Sequence, residues 1–200
     1  MKQGLVILLH GVGSSGDDLA GLGDHWASTL PGVRFASPNA PVHFEHGAGW
    51  QWFSLTGVTP ENRPARVAQA RAAFDQTLQA ILDQHQMSDR PDQVVLAGFS
   101  QGSIMALDAL VSGRWPLAGI VAFSGRLSSP LPLTPALNTP VLLVHGMADE
   151  VIPVQESESA EQRLRTLGVQ VSSQYEPGVG HAISAQGAAR AAAFIASCLA

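Results

Sequence analysis

The sequence predicts an α/β fold in which helices cover both faces of a mostly parallel, doubly wound sheet. Short apolar segments alternate with helical patterns along the chain, an order that is typical of parallel sheets. Several of these segments are apolar at consecutive positions rather than at every second one, as expected for strands that are buried on both faces. The 200 residues suffice for one compact domain, so we expect a single domain over residues 1–200 without a large cap domain.

The predicted strands are short and rich in β-branched residues or leucine. In chain order they are residues 5–9, 34–36, 94–97, 120–123, 141–144 and 169–174. Apolar residues at helical spacing predict the helices between them, at about 17–30, 63–86, 101–112, 154–167 and 185–199. Gly168 directly follows the fourth of these helices, where a left-handed C-cap is favoured.

Composition excludes several classes of function. The net charge is −5 and no basic cluster occurs, so we expect no nucleic-acid partner. No segment reaches the roughly 18 apolar residues of a membrane span, and the apolar run 5–9 is interpreted as a strand rather than a signal peptide. Cys198 is the only cysteine, which fits a reducing compartment, and we expect a cytoplasmic location.

The segment 98–102, Gly-Phe-Ser-Gln-Gly, places Ser100 at a predicted strand-to-helix turn. A serine hydroxyl is a poor nucleophile unless it is exposed and a base lies within hydrogen-bond distance. The Gly-x-Ser-x-Gly pattern supplies the exposure, because its glycines leave room for a sharp turn. A glycine-rich turn with an incidental surface serine is disfavoured, since a strand precedes Ser100 and an apolar-faced helix follows it. Ser100 is therefore the predicted nucleophile of an α/β-hydrolase fold.

Asp149 lies in the loop after the predicted strand 141–144 and is the predicted acid. A carboxylate there can hold an imidazole in the required tautomer and stabilise its cation. The neighbouring Glu150 is interpreted as a solvated charge, and Asp75 and Asp108 fall inside predicted helices, which disfavours both.

His181 lies between the last predicted strand and the last predicted helix, and it is the predicted base. The order Ser, Asp, His along the chain is the one expected for α/β-hydrolases. The chain holds seven histidines, so the argument for His181 rests on its position. An incidental loop histidine is the alternative.

Residues 10–19, His-Gly-Val-Gly-Ser-Ser-Gly-Asp-Asp-Leu, follow the first predicted strand and lead into a helix. Such a loop can direct a backbone N–H at a developing tetrahedral oxygen, together with the N–H of the residue after the nucleophile. We therefore predict an oxyanion hole formed by Val12 and Gln101. A phosphate-binding loop is the alternative, and it is disfavoured because no Walker lysine is present.

Six segments together resemble the phospholipase/carboxylesterase family, the bacterial relatives of acyl-protein thioesterases. They are residues 8–13 (Leu-Leu-His-Gly-Val-Gly), 37–41 (Ser-Pro-Asn-Ala-Pro), 52–53 (Trp-Phe), 98–102, 145–149 (His-Gly-Met-Ala-Asp) and 180–181 (Gly-His). The resemblance spans nearly the whole chain. Ser54 departs from it, since the family usually has aspartate there, and so does Ser103, which replaces a usual glycine.

The resemblance implies ester or thioester hydrolysis without a cofactor. It also implies catalytic roles for Ser100, Asp149 and His181, and oxyanion-hole roles for the backbone N–H groups of Val12 and Gln101.

Two long irregular segments, 38–60 and 125–140, are candidates for the walls of a substrate site. Trp50, Trp52 and Phe53 in the first segment, and Leu131 in the second, could contact an acyl chain or could equally anchor their own loops. Whether the two segments move as a lid stays open. No metal site is predicted, because His43 and His46 lack a third ligand on a defined element.

Three functions follow from these residues. The first is a serine carboxylesterase that acts on short- to medium-chain esters through an acyl-enzyme on Ser100. The second is an acyl-protein thioesterase or lysophospholipase that acts on long acyl chains with the same residues. A non-catalytic receptor of the hydrolase fold is the third, and it is disfavoured because no triad member is missing. The expected partner is a small-molecule ester or thioester, and homodimerisation stays open.

Overall fold

The computed structural model describes residues 3–200, and within them the strands and helices follow the predicted alternation. The strands are β1 (Leu5–Leu9), β2 (Arg34–Ala36), β3 (Val42–His43), β4 (Trp50–Gln51), β5 (Val94–Phe99), β6 (Gly119–Phe123), β7 (Val141–Gly146) and β8 (Val171–Glu176). The helices are α1 (Gly16–Ala27), α2 (Arg63–Gln84), α3 (Gln101–Val111), α4 (Val154–Thr166) and α5 (Ala185–Cys198).

The central sheet has six strands in the order β2-β1-β5-β6-β7-β8, and every neighbouring pair is parallel. The chain therefore leaves β1 first towards β2 and later, on the other side, towards β5. This reversal is a topological switch point, and open α/β sheets bind their ligands at the carboxyl ends of the strands beside such a point. The predicted mostly parallel sheet is confirmed, and it directs attention to the loops after β1 and β5.

Helices pack on both faces of the sheet, which explains why the strands are apolar at consecutive positions. Leu5, Ile7 and Leu9 of β1 point into the apolar layer beneath α2, α3 and α4. Val6 and Leu8 point into the opposite layer, beneath α1 and α5. Because successive side chains of a strand point to opposite faces, a strand between two helical layers needs apolar residues throughout.

Helix ends account for two differences from the predicted boundaries. Gly168 follows α4 with a φ of +87°, as predicted, and the Val169 N–H donates to the carbonyl of Leu164. This Schellman motif keeps Val169 in the helix end, so β8 starts two residues later than predicted. At the end of α2, Gln86 takes the same left-handed conformation with a φ of 57°, and the helix stops at Gln84.

The segment 38–60 contains the two-residue strands β3 and β4, which the sequence did not predict. They form an antiparallel pair in which Val42 faces Gln51 and His43 faces Trp50. Trp50 also pairs with Ser14 of the loop after β1. The hairpin therefore ties the long segment to the carboxyl end of β1.

Within the described residues 3–200, no helix is both long enough and apolar enough to cross a membrane.

Candidate active site

Ser100 occupies a strained turn between β5 and α3. Its backbone has a φ of 55° and a ψ of −117°, a conformation that residues other than glycine rarely adopt. The neighbouring backbone holds it there: the Ser100 N–H donates to Phe123 O at 2.9 Å, and the Ser100 carbonyl accepts from the N–H of Ser103 at 3.0 Å. The Ser103 hydroxyl donates to the same carbonyl at 2.6 Å. The turn points the Ser100 side chain out of the carboxyl end of the sheet.

The two glycines of the motif allow this turn because they lie against backbone. A Cβ added to Gly98 would come within 2.5 Å of the carbonyl carbon of Gly102, and one added to Gly102 within 2.1 Å of Leu9 O. Both distances are far below van der Waals contact. The Gly-x-Ser-x-Gly spacing thus reflects the close approach of α3 to β5 and β1.

Ser100, His181 and Asp149 form a continuous hydrogen-bonded chain. His181 Nε2 lies 3.0 Å from Ser100 Oγ, and His181 Nδ1 lies 2.7 Å from Asp149 Oδ2. Since an ionised carboxylate only accepts hydrogen bonds, Nδ1 carries the proton and Nε2 is free to accept from the serine hydroxyl. The structure thus brings together the three predicted residues, each from the loop after a different strand, in an arrangement that can activate a nucleophile.

Asp149 is fully buried at its side chain and is held as an anion. Burial raises the pKa of this carboxyl, but the hydrogen bonds from His181 and from the N–H groups of Ile152 and Val151 outweigh it, so the pKa lies below its ordinary value. The two backbone bonds both end on Oδ1, at 2.9 and 2.8 Å, whereas Oδ2 faces His181 Nδ1 at 2.7 Å and the buried His145 Nε2 at 3.3 Å. The carboxylate is therefore oriented by the turn that follows it.

Val12 and Gln101 present backbone N–H groups beside Ser100. Within the described residues neither N–H donates a hydrogen bond, although both line the cavity into which Ser100 opens. Gln101 is the first residue of α3, so its N–H also lies at the positive end of the helix dipole. Two unpaired donors at this place can stabilise a developing oxyanion.

Contacts with segment 38–60 fix the loop that carries Val12. The imidazole of His10 donates from Nδ1 to Gly11 O at 2.6 Å and accepts from the Ala40 N–H at Nε2 at 2.9 Å. Burial lowers the pKa of His10 despite the hydrogen bond to Gly11 and the nearby Asp18, so the ring favours the neutral form that these two bonds require. Its role in the structure is to connect loops.

Trp50 and Trp52 serve the same purpose. The Trp50 carbonyl accepts a hydrogen bond from the Gly13 N–H at 2.7 Å, and the Trp50 N–H donates one to Ser14 O at 2.9 Å. The indole of Trp52 donates to His10 O at 2.8 Å and is only 3% exposed. Both predicted wall residues therefore anchor the loop after β1 and do not line the cavity at Ser100.

The side chain of Gln101 has a role that sequence reasoning missed. Its Oε1 accepts from the Trp52 N–H at 2.7 Å, and its Nε2 donates to the Phe53 carbonyl at 2.8 Å. The residue after the nucleophile thus also positions the segment that forms one side of the site. The sequence signal that could have revealed this contact is the occurrence of Trp-Phe at 52–53 and Phe-Ser-Gln-Gly at 99–102 in the same chain.

Replacing Gln101 by leucine should lower kcat/KM for p-nitrophenyl butyrate about tenfold, because the N–H of Trp52 and the carbonyl of Phe53 lose their partner and Phe53 shifts. The backbone N–H of residue 101 is retained, so the loss reports positioning. Steady-state kinetics and thermal unfolding measure both effects, with Gln170→Leu, at an exposed glutamine, as the matched control. An unchanged kcat/KM in a folded Gln101→Leu protein would contradict this role.

A cavity of about 200 Å³ adjoins Ser100 and the two free N–H groups. Most of its lining is apolar and comes from Phe53, Leu55, Val58, Ile104, Val151 and Ile152. Phe53 is the one predicted wall residue that the structure places there. Leu131 lies instead in a separate cavity of about 640 Å³ beside α4, where its side chain is 77% exposed. Residues 131–133 line this second cavity together with the end of α4, so Leu131 lies away from the nucleophile.

The family model for phospholipase/carboxylesterase proteins matches residues 1–199. The chain belongs to the phospholipase/carboxylesterase family. Esterase YpfH of Escherichia coli (strain K12) is 33% identical over 181 residues, which cover 90% of this chain and 77% of that protein. Acyl-protein thioesterase 1 of Neurospora crassa is 28% identical over 197 residues, which cover 88% and 79%. The crystal structure of esterase PE8 matches with a TM-score of 0.89 at 37% identity, covering 98% of this chain and 93% of that one.

These comparisons confirm the predicted α/β-hydrolase fold and the predicted family resemblance. They also confirm the predicted class of enzyme, since the family and the similar proteins are carboxylic ester hydrolases.

Proposed function

We propose that this phospholipase/carboxylesterase family member is a serine carboxylesterase that hydrolyses short- to medium-chain esters through an acyl-enzyme on Ser100. The observation that carries the proposal is the hydrogen-bonded chain of Ser100, His181 and Asp149 beside two unpaired N–H groups. His181 Nε2 takes the hydroxyl proton as Ser100 Oγ attacks the ester carbonyl carbon. The Val12 and Gln101 N–H groups stabilise the resulting oxyanion, and Asp149 stabilises the imidazolium.

The tetrahedral intermediate then collapses, and the bond to the alcohol oxygen breaks. His181 gives its proton to the departing alkoxide, which leaves Ser100 acylated. In the second half, His181 takes a proton from water, the hydroxide attacks the acyl carbonyl, and Ser100 leaves with the proton from His181. The carboxylic acid is released and the starting state is restored without a cofactor.

The size of the cavity supports a short or medium acyl group. About 200 Å³ is below the range of roughly 300–1,000 Å³ that is typical of sites for drug-sized ligands. The similarity to an acyl-protein thioesterase keeps long acyl chains and thioesters as the competing function. The kcat/KM values for p-nitrophenyl acetate, butyrate, octanoate and palmitate, and for butyryl and palmitoyl thioesters, separate the two. A maximum at palmitate or palmitoyl thioester would favour the competing function.

A fluorophosphonate probe tests the nucleophile directly. We expect one covalent adduct per chain, mapped to Ser100 by peptide mass spectrometry, and a loss of ester hydrolysis in proportion to labelling. An adduct at another residue, or full hydrolysis after complete labelling of Ser100, would exclude the proposed acyl-enzyme. The cytoplasmic location stays a prediction, and homodimerisation stays open.

A further inference from the structure

Two arginines line the cavity beside Ser100, although the rest of its lining is mostly apolar. Arg63 is the first residue of α2, and Arg126 lies just past the carboxyl end of β6. They come from segments far apart in the chain, and Arg126 is close enough to act on the charge of Arg63. In a protein with 11 basic and 16 acidic residues, this pair does not result from a generally basic surface.

The charges at the cavity do not cancel. Arg126 pairs with Glu156 at 3.6 Å, and its side chain is only 15% exposed. The guanidinium of Arg63 makes no ion pair and donates no hydrogen bond to the described part of the chain, residues 3–200. Burial lowers the pKa of Arg63, nearby Arg126 lowers it further and Glu156 raises it, but a guanidinium remains charged at neutral pH. Two cations and one carboxylate therefore leave one positive charge uncompensated.

A half-buried guanidinium with no partner in the described residues is available to bind a ligand in this cavity. Its planar donors match a carboxylate, which can accept two parallel hydrogen bonds. The apolar side chains that line the same cavity suit a short run of methylene groups. The cavity thus combines a reacting centre, an apolar section and a cationic section.

We propose that the Arg63–Arg126 pair binds a carboxylate on the substrate, so that the enzyme prefers esters that carry a free carboxyl group a few carbons from the scissile bond. This inference rests on the proposed function at Ser100 and narrows its substrate class. The carboxylate can belong to the acyl part, as in a half-ester of a dicarboxylic acid, or to the alcohol part. A carboxylate in either part would bind the arginines in the same way, and the experiment below distinguishes the two positions.

The test compares matched esters that differ in one charge. For the acyl part they are monoethyl glutarate and ethyl glutaramate, in which a carboxamide replaces the carboxylate. For the alcohol part they are 4-carboxyphenyl butyrate and 4-carbamoylphenyl butyrate. We expect the wild-type kcat/KM to be about tenfold or more higher for the anionic ester of one pair, with the advantage falling as salt is added. The pair that shows the advantage identifies the side of the substrate that carries the carboxylate.

The variants Arg63→Gln and Arg126→Gln should each lower this anionic-to-neutral ratio about tenfold, and Arg63→Lys should lower it less because it keeps the charge. Arg90→Gln, at a side chain that is 53% exposed and outside the cavity, is the control and should leave the ratio unchanged. Because the measured quantity is a ratio within one protein, partial loss of folded enzyme does not alter it.

A wild-type ratio of one or less in both pairs, or a ratio that both glutamine variants leave unchanged, would overturn the carboxylate site. Different outcomes of the same experiment test the proposed function. If wild-type enzyme hydrolyses the neutral esters and fluorophosphonate labelling of Ser100 stops this hydrolysis, the esterase assignment stands whatever the ratio. If it hydrolyses none of the four esters, the proposed short- to medium-chain esterase function is wrong, and the carboxylate site that rests on it falls too.

Discussion

An Asp149→Asn variant is expected to hydrolyse esters about 10⁴-fold more slowly than the wild type, with little change in fold. The reason lies in how the two oxygens of Asp149 are used. Oδ1 accepts from the N–H groups of Val151 and Ile152, so in the variant the amide oxygen takes this position. The amide nitrogen then faces His181 Nδ1 in place of Oδ2.

This orientation inverts the tautomer of His181. An amide NH₂ donates hydrogen bonds, so Nδ1 must accept and the ring proton moves to Nε2. There it faces the Ser100 hydroxyl, which can no longer transfer its proton to the ring. Since the pKa of Asp149 lies below its ordinary value, the wild-type carboxylate is ionised throughout the neutral range and holds the Nδ1 proton of His181 there.

The kcat for p-nitrophenyl butyrate and the melting temperature measure the effect of Asp149→Asn. Glu150→Gln is the matched control, since this neighbouring carboxyl is exposed and makes no hydrogen bond to His181 in the described residues. Retention of more than about a tenth of wild-type kcat in Asp149→Asn would contradict the role assigned to Asp149.

An Asp108→Ala variant is expected to lower the free energy of unfolding by about 3–5 kcal/mol, which corresponds to a fall in melting temperature on the order of 10 °C. Asp108 lies on α3 with no exposed side-chain surface. It accepts two hydrogen bonds from Arg71 of α2, at 2.7 and 2.8 Å, and one from Arg114 at 3.1 Å. The Ser129 hydroxyl donates to it at 2.6 Å, which ties segment 125–140 to the same carboxylate.

The cost of removing Asp108 is large because its partners stay behind. Arg71 loses its carboxylate while its guanidinium remains partly buried, whereas Arg114 keeps Asp75 at 2.8 Å. Burial raises the pKa of Asp108, but the hydrogen bonds from Arg71 and Ser129 and the two positive charges lower it below the ordinary 3.8. A lowered pKa in the folded state contributes stability above the unfolded-state value, and this contribution is lost as the pH falls through the folded-state value.

Urea unfolding at neutral pH measures the loss in Asp108→Ala, and unfolding in acid should show a shallower pH dependence than in the wild type. Asp89→Ala is the control, because the Asp89 side chain is 85% exposed and should change stability by less than about 0.5 kcal/mol. Equal unfolding free energies for the two variants would show that the buried network does not stabilise the fold.

The sequence predicted the sheet well because its strands are buried on both faces and therefore read as continuous apolar runs. It was less successful where a residue takes a conformation unusual for its type. Gln86 ends α2 in a left-handed conformation that a glycine would have signalled, whereas Gly168 gave that signal for α4. Strands β3 and β4 were missed because two residues are too few to show any periodicity.

The three residues of the hydrogen-bonded chain were predictable because each follows a recognisable strand, and the carboxyl ends of parallel strands meet at one edge. The surroundings of the site were not, since they depend on how segments 38–60 and 125–140 fold over that edge. Sequence alone suggested Leu131 as a wall and gave no reason to consider Arg63. The structure places Leu131 beside α4 and Arg63 at the cavity.

The parallel order of the sheet has a consequence for how the protein acquires its activity. Strand β1 pairs with β5 only after α1, β2 and α2 have been synthesised, and Ser100 and His181, which share a hydrogen bond, are 81 residues apart in the chain. Contacts of such long sequence separation slow folding, because the intervening chain must be ordered first. A nascent chain that ends before the loop of His181 holds the nucleophile and no base. Under the proposed mechanism, Ser100 therefore stays unactivated until the chain as far as His181 has been synthesised and folded.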